Sequence, residues 1–173
     1  EDEKLIRAKN IYKDFDFYGY TDEYLNEGAE QYNDFINYHF NIDFNGRTTN
    51  DDIYDLFDTN YGDNNVSNIK DSESHSTHVS GIISGDRQNQ SGSKGINNLV
   101  EIMALRAIPN GDEYDKDVAR AIRYAVDNGA KIINGSFGKY FSSNPEWVID
   151  AIRYASENNV LVIAAAGNES KDL

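Results

Sequence analysis

The chain has 173 residues, no cysteine and a formal charge of −14, from 16 Lys and Arg against 30 Asp and Glu. That composition excludes disulfides, thiolate metal sites and cysteine nucleophiles. It also argues against nucleic acid and anionic membrane surfaces as partners, because both need clustered basic residues, and no stretch is apolar for long enough to span a bilayer.

The length suits one domain or part of a larger one. The start at Glu1, with neither Met nor an apolar leader, and the stop at Leu173 just past an apolar run read as cut ends. Residues 1–70 are rich in Tyr, Phe, Asp and Asn, whereas 75–168 are richer in Ala, Val, Ile and Gly. Two regions are therefore expected: a helical segment with an acidic loop over 1–70, and an α/β region over 71–173.

In the first region, Leu5, Ile6, Ile11 and Tyr12, then Tyr24, Leu25, Tyr32, Phe35, Ile36 and Phe40, recur at spacings near three and four, which predicts helix. Gly19 and Thr21-Asp22 divide it in two, with Thr21 or Asp22 as the cap. Residues 41–73 are polar, with Asn45-Gly46 and Gly62-Asp63 as turn signals, and predict a long surface loop. Asp51, Asp52, Asp55, Asp58 and Asp63 give that loop oxygens suited to a structural Ca²⁺. The ordered ligand spacing of a known Ca²⁺ loop is missing, so a solvated acidic loop is the expectation.

Next comes Ser74-His75-Ser76-Thr77-His78-Val79-Ser80-Gly81-Ile82-Ile83-Ser84-Gly85. Its small residues four apart predict a central helix, closely approached by another backbone. A histidine in the first turn of such a helix suits a general base, since its ordinary pKa is near neutrality. His78 reads as structural, and His39 as partly packed. His75 and His78 also share a helix face near Asp71 and Glu73, but their spacing differs from H-E-x-x-H, so no metal site is assigned.

Leu99–Ile108 reads as a buried strand. Val118, Ala121, Ile122, Ala125 and Val126 predict a helix over 115–128, stopped by Asn128-Gly129. Lys131–Asn134 predicts a strand. Asn144-Pro145 caps and starts a helix whose buried stripe is Trp147, Val148, Ala151, Ile152 and Ala155, and Val160–Ala164 predicts a second strand. Ala-Ile-Arg-Tyr-Ala stands at both 121–125 and 151–155, each followed by an Asn turn and an apolar strand. Helix, turn and strand in repetition indicate successive βαβ units, and strands apolar without alternation indicate a parallel sheet covered on both faces. Function in such sheets gathers at the carboxyl ends of the strands, here Asn134–Gly138 and Ala165–Asn168.

Three of these stretches, in order, resemble the motifs of the subtilisin-like serine peptidases, the subtilases. Ser74–Gly85 resembles their H-G-T-H-V-A-G, Gly129–Gly138 their strand ending in S-x-G, and Val160–Asn168 their strand ending in A-A-G-N. The resemblance covers about residues 70–170. It implies a partial three-layer α/β/α fold with a parallel sheet, preceded by a helical insertion like those before the histidine motif in some bacterial subtilases. It also implies a serine endopeptidase with an Asp-His-Ser triad, needing no cofactor, acting on protein or peptide and secreted or periplasmic.

Carried over by position, His75 is the base and Asn168 the oxyanion donor. Ser136, Phe137 and Gly138 would line the peptide cleft, with Pro109-Asn110-Gly111 on its other side, and Ala165, Ala166 and Gly167 would wall the specificity pocket. Asn168 also fits as a left-handed turn residue.

The departures are specific. No apolar strand ending in D-S-G or D-T-G precedes His75, Asp71-Ser72 lacks that context, and no G-T-S-M-A-x-P is present. Triad aspartate and serine are thus expected outside these residues, leaving this stretch inactive alone. The alternative is a catalytically inactive, subtilase-like binding scaffold. Ser76 stands for the usual Gly, Ser80 for Ala and Gly135 for a common Met, the last expected to loosen the site.

Overall fold

The structure is a computed structural model that describes residues 4, 6, 7, 10, 13, 19, 21–41, 43, 44, 49–67, 74–88, 90, 92, 94–108 and 113–168. Leu5, Ile11, Tyr12, Asn45-Gly46, Asp71-Ser72, Glu73 and Pro109-Asn110-Gly111 lie outside the described residues. The chain forms two compact units, one of Glu1–Arg47 with Asn110–Asp112, the other of Thr48–Pro109 with Glu113–Leu173.

The first unit is helical, as its periodicity predicts. Lys4, Ile6, Arg7, Asn10 and Lys13 are in helical conformation, and Gly19 turns with φ 75°, a value that suits glycine. Helix α1 spans Asp22–Asp34. Thr21 caps it: its Oγ1 accepts from the Tyr24 N–H at 3.2 Å, and its carbonyl accepts from Leu25 N–H at 3.0 Å. The helix widens into a π turn over Phe35–His39, which brings Phe35 5.0 Å from the His39 ring and 5.9 Å from Phe40. His39 thus lies beside one aromatic ring but is exposed, less packed than expected.

The second unit holds α2 (His75–Ser84), α3 (Asp115–Asp127), β1 (Ile132–Gly135), α4 (Pro145–Glu157) and β2 (Leu161–Ala164). Strands β1 and β2 are parallel and joined through α4. The repeated pentapeptide lies on α3 and α4, which pack against each other. Val118, Ala119 and Ile122 of α3 meet Ala151 and Ala155 of α4 and Val160, flanked by Ile133, Trp147, Val148 and Val162. Alanines at the crossing let the helices approach closely. Each fully buried Val or Ile adds about 1.5–3 kcal/mol.

The echo extends to how the helices stop. Ala130 N–H bonds Ala125 O at 2.9 Å and Gly129 N–H bonds Val126 O at 3.1 Å; Val160 bonds Ala155 O at 2.9 Å and Asn159 bonds Ser156 O at 3.1 Å. These are two Schellman caps, with left-handed residues Gly129 (φ 87°) and Asn159 (φ 59°). Each reverses the chain directly into a strand.

Three expectations fail for a shared reason. Leu99–Ile108 forms no strand, and Leu99 is 89% exposed; only its end, Ile108, reaches the core. The sheet is covered on one face: Ile133 and Val162 turn toward the helices, whereas Ile132 and Leu161 are 61% and 57% exposed. Helix α2 is not central, having no buried residue. A strand needs a ladder partner and a small-residue helix needs a backbone against it, and the described residues supply neither. Among the described residues a close approach is made at the end of α2, where Gly95, Ile96 and Asn97 N–H groups bond the carbonyls of Gly85, Ile82 and Ile83, each at 2.9 Å. A Cβ on Gly95 would stand 2.2 Å from Gly85 N.

Candidate active site

The register of β1 and β2 builds the candidate cleft. Gly135 lies opposite Ala164, and Ala165 N–H donates to Gly135 O at 3.1 Å. Parallel strands that end in register release their following segments side by side, so Ser136–Gly138 and Ala165–Asn168 leave the same end of the sheet. Among the described residues the backbone groups of Ser136, Phe137 and Gly138 have no backbone partner. Asn134 Nδ2 donates to Ser136 Oγ at 2.8 Å and turns that side chain back along β1.

A Cβ at Gly135 would lie 3.6 Å from Phe137 Cε1 and 3.5 Å from Ile163 O, ordinary contacts, so the Phe137 ring stands beside the position. Ala165, Ala166, Gly167 and Asn168 are exposed. The left-handed conformation belongs to Gly167, at φ 84°, and not to Asn168. The turn role weighed for Asn168 is thereby removed, because Gly167 performs it.

His75 is the first residue of α2 and is exposed, as is His78, whose N–H bonds Ser74 O at 2.9 Å. No residue of α2 joins the core of α3, α4 and the strands. Among the described residues no hydrogen bond joins His75 to Asn168.

The acidic loop is less solvated than expected. Lys116 and Asp51 form an ion pair at 2.7 Å with side chains 0% and 1% exposed. Lys116 also donates to Asp52 O at 2.6 Å and lies 4.6 Å from the Tyr61 ring centroid, while Tyr61 Oη donates to Asp117 at 2.8 Å. The carboxylates of Asp52, Asp55, Asp58 and Asp63 accept backbone N–H groups of the same loop. Among the described residues no group of three or more His, Asp or Glu is placed to hold a metal ion.

A second polar cluster joins α3 to the chain beyond the cleft. Asp115 accepts from Ser142 Oγ and from Asn144 N–H, both at 2.8 Å, and pairs with Lys139 Nζ at 3.0 Å. Lys139 also donates to Glu113 O. Burial alone would raise the Asp115 pKa. The Asn144 N–H, Lys139 and Ser142 outweigh it, holding the carboxyl below its ordinary value. The sequence hints at this cluster only through charged residues opening an amphipathic helix; partners 24 to 29 positions away carry no local signature.

The Subtilase family model matches residues 12–173. The chain belongs to the subtilase family. It is 36% identical over 116 residues to a thermophilic serine proteinase of Bacillus sp. (strain AK1), covering 66% of this chain and 27% of that one. It is 33% identical over 106 residues to a cell wall-associated protease of Bacillus subtilis (strain 168), covering 61% of this chain and 12% of that one. The solved structure of the prenylagaramide maturation protease PagA matches with a TM-score of 0.41 at 36% identity, covering 56% of this chain and 35% of that one. The chain therefore spans about a quarter or less of the length of these two curated relatives. Family membership carries the subtilase fold, and the helices over a parallel pair of strands are a partial α/β arrangement consistent with it.

Proposed function

We propose that the full-length protein is a subtilisin-like serine endopeptidase. The observation that carries the reading is the in-register ending of β1 and β2, within a chain matched to the family over residues 12–173. It sets Ser136–Gly138, without backbone partners among the described residues, at the same end of the sheet as the Ala-Ala-Gly-Asn segment.

In this reading a peptide adds as a strand along Ser136–Gly138, and Ala165, Ala166 and Gly167 wall the pocket for its side chain. His75 takes the proton of a serine hydroxyl as it attacks the scissile carbonyl, and an aspartate orients the imidazole. Asn168 donates its side-chain amide to the oxyanion. The serine and aspartate come from chain flanking residues 1–173, and those flanking parts seat α2 against the sheet. Residues 1–173 alone are then inactive. The reaction needs no cofactor, and a secreted or periplasmic location accords with a relative named as cell wall-associated.

The test expresses the full-length protein and measures peptide hydrolysis with and without a phosphonyl fluoride. Hydrolysis blocked by the reagent and abolished by His75→Ala is expected. Activity that survives His75→Ala would sink the assignment. Binding of protein without turnover or phosphonyl labelling would instead favour an inactive scaffold.

A further inference from the structure

Ser136–Gly138 is a three-residue span anchored at both ends. On one side the β1–β2 ladder ends with Ala165 N–H on Gly135 O at 3.1 Å. On the other, Lys139, Ser142 and Asn144 all converge on Asp115, which opens the neighbouring helix α3. The Asp115 side chain is 5% exposed, and one carboxylate gathers an ammonium, a hydroxyl and a backbone N–H. Buried carboxylates are rare unless paired, and removal of one leaves its donors unsatisfied. Helix α3 is in turn fixed by its packing on α4, so the anchor is rigid.

We propose that Asp115 is a positioning residue for substrate: it holds Ser136–Gly138 extended, with backbone groups free to pair with a peptide. This rests on the peptidase reading. Lys139 holds the far end by its side chain and Asn144 by its backbone, so the anchor restricts the span's freedom. The entropy of ordering the segment is then met on folding and not on binding. Loss of the anchor therefore weakens peptide capture and leaves the chemical step alone.

The test uses Asp115→Ala and Asp115→Asn in the full-length protein. Hydrogen exchange is read along residues 136–144, and kcat and KM are measured for an extended peptide, normalised to sites titrated by phosphonyl fluoride. Asp115→Ala is expected to speed exchange at the Asn144 amide, whose N–H donates to Asp115 at 2.8 Å, at least tenfold while α4 and β2 keep their protection. KM should rise about tenfold or more, with kcat per titrated site within twofold. Asp115→Asn retains an acceptor for Ser142 and Asn144 and should fall between. Unchanged exchange and KM, or a fall in kcat at constant KM, would overturn the proposal. If the unaltered protein neither titrates nor cleaves, the peptidase reading fails on its own, and exchange in 136–144 still decides whether Asp115 anchors the strand.

Discussion

Replacing Lys116 by Met tests how the acidic loop is attached. The change keeps most of the side-chain volume and removes the charge, which in the native protein is 0% exposed and 2.7 Å from an Asp51 carboxylate that is 1% exposed. Breaking a buried pair from one side costs about 3–5 kcal/mol, because a charge is left behind in low dielectric. Here the hydrogen bond to Asp52 O and the contact over Tyr61 are lost as well. Asp51 keeps a further interaction, so the lower part of the range, about 3 kcal/mol, is expected. With urea m-values of about 1–3 kcal/mol/M for small proteins, the midpoint should fall by about 1–3 M. The paired change Lys116→Met with Asp51→Leu leaves no stranded charge and should recover most of the loss. A single-variant loss below about 1 kcal/mol, or a double variant no better than the single, would refute the reasoning.

The two Schellman caps make opposite predictions. Gly129→Ala should lose about 1–2 kcal/mol, because φ 87° strains an L-residue while its Cβ meets nothing within 4 Å; Asn159→Gly should lose nothing or gain up to about 1 kcal/mol, and urea midpoints check both. The depressed Asp115 carboxyl contributes stability that is full above its unfolded value of about 3.9 and disappears as pH falls through the folded one. Asp115→Asn should flatten that acid limb below about pH 4, and identical limbs would contradict the stated cause. In the full-length protein, Asn168→Ala should lower kcat by about 10²–10³, equivalent to about 2.7–4 kcal/mol, with KM little changed; a kcat within threefold of the parent would remove Asn168 from the oxyanion role.

Much of the local structure was legible in the sequence. Thr21 as a cap, the helix starting at Pro145, the helix–turn–strand echo and the parallel strands all follow from short-range signals. A cap hydroxyl, a left-handed Gly or Asn and an apolar stripe each act within one or two turns of chain. The family, too, was readable, from three motifs in order. What the sequence did not reveal was which side chains meet across distance. Lys116 finds Asp51 from 65 positions away, and Asp115 finds Lys139 and Ser142 beyond a whole strand. Burial of charge is decided by what packs over it, and composition could only suggest a solvated loop.

The sequence by itself indicated the helices, the turns, the two parallel strands and the candidate residues His75 and Asn168. Tertiary structure decided which strand ends lie side by side. The ladder that places Gly135 opposite Ala164 brings the two strand ends together because parallel pairing fixes register residue by residue. Helix α2 has no such ladder and no fully buried residue. Its apolar and small residues suit many neighbours equally, so its place depends on what packs against it.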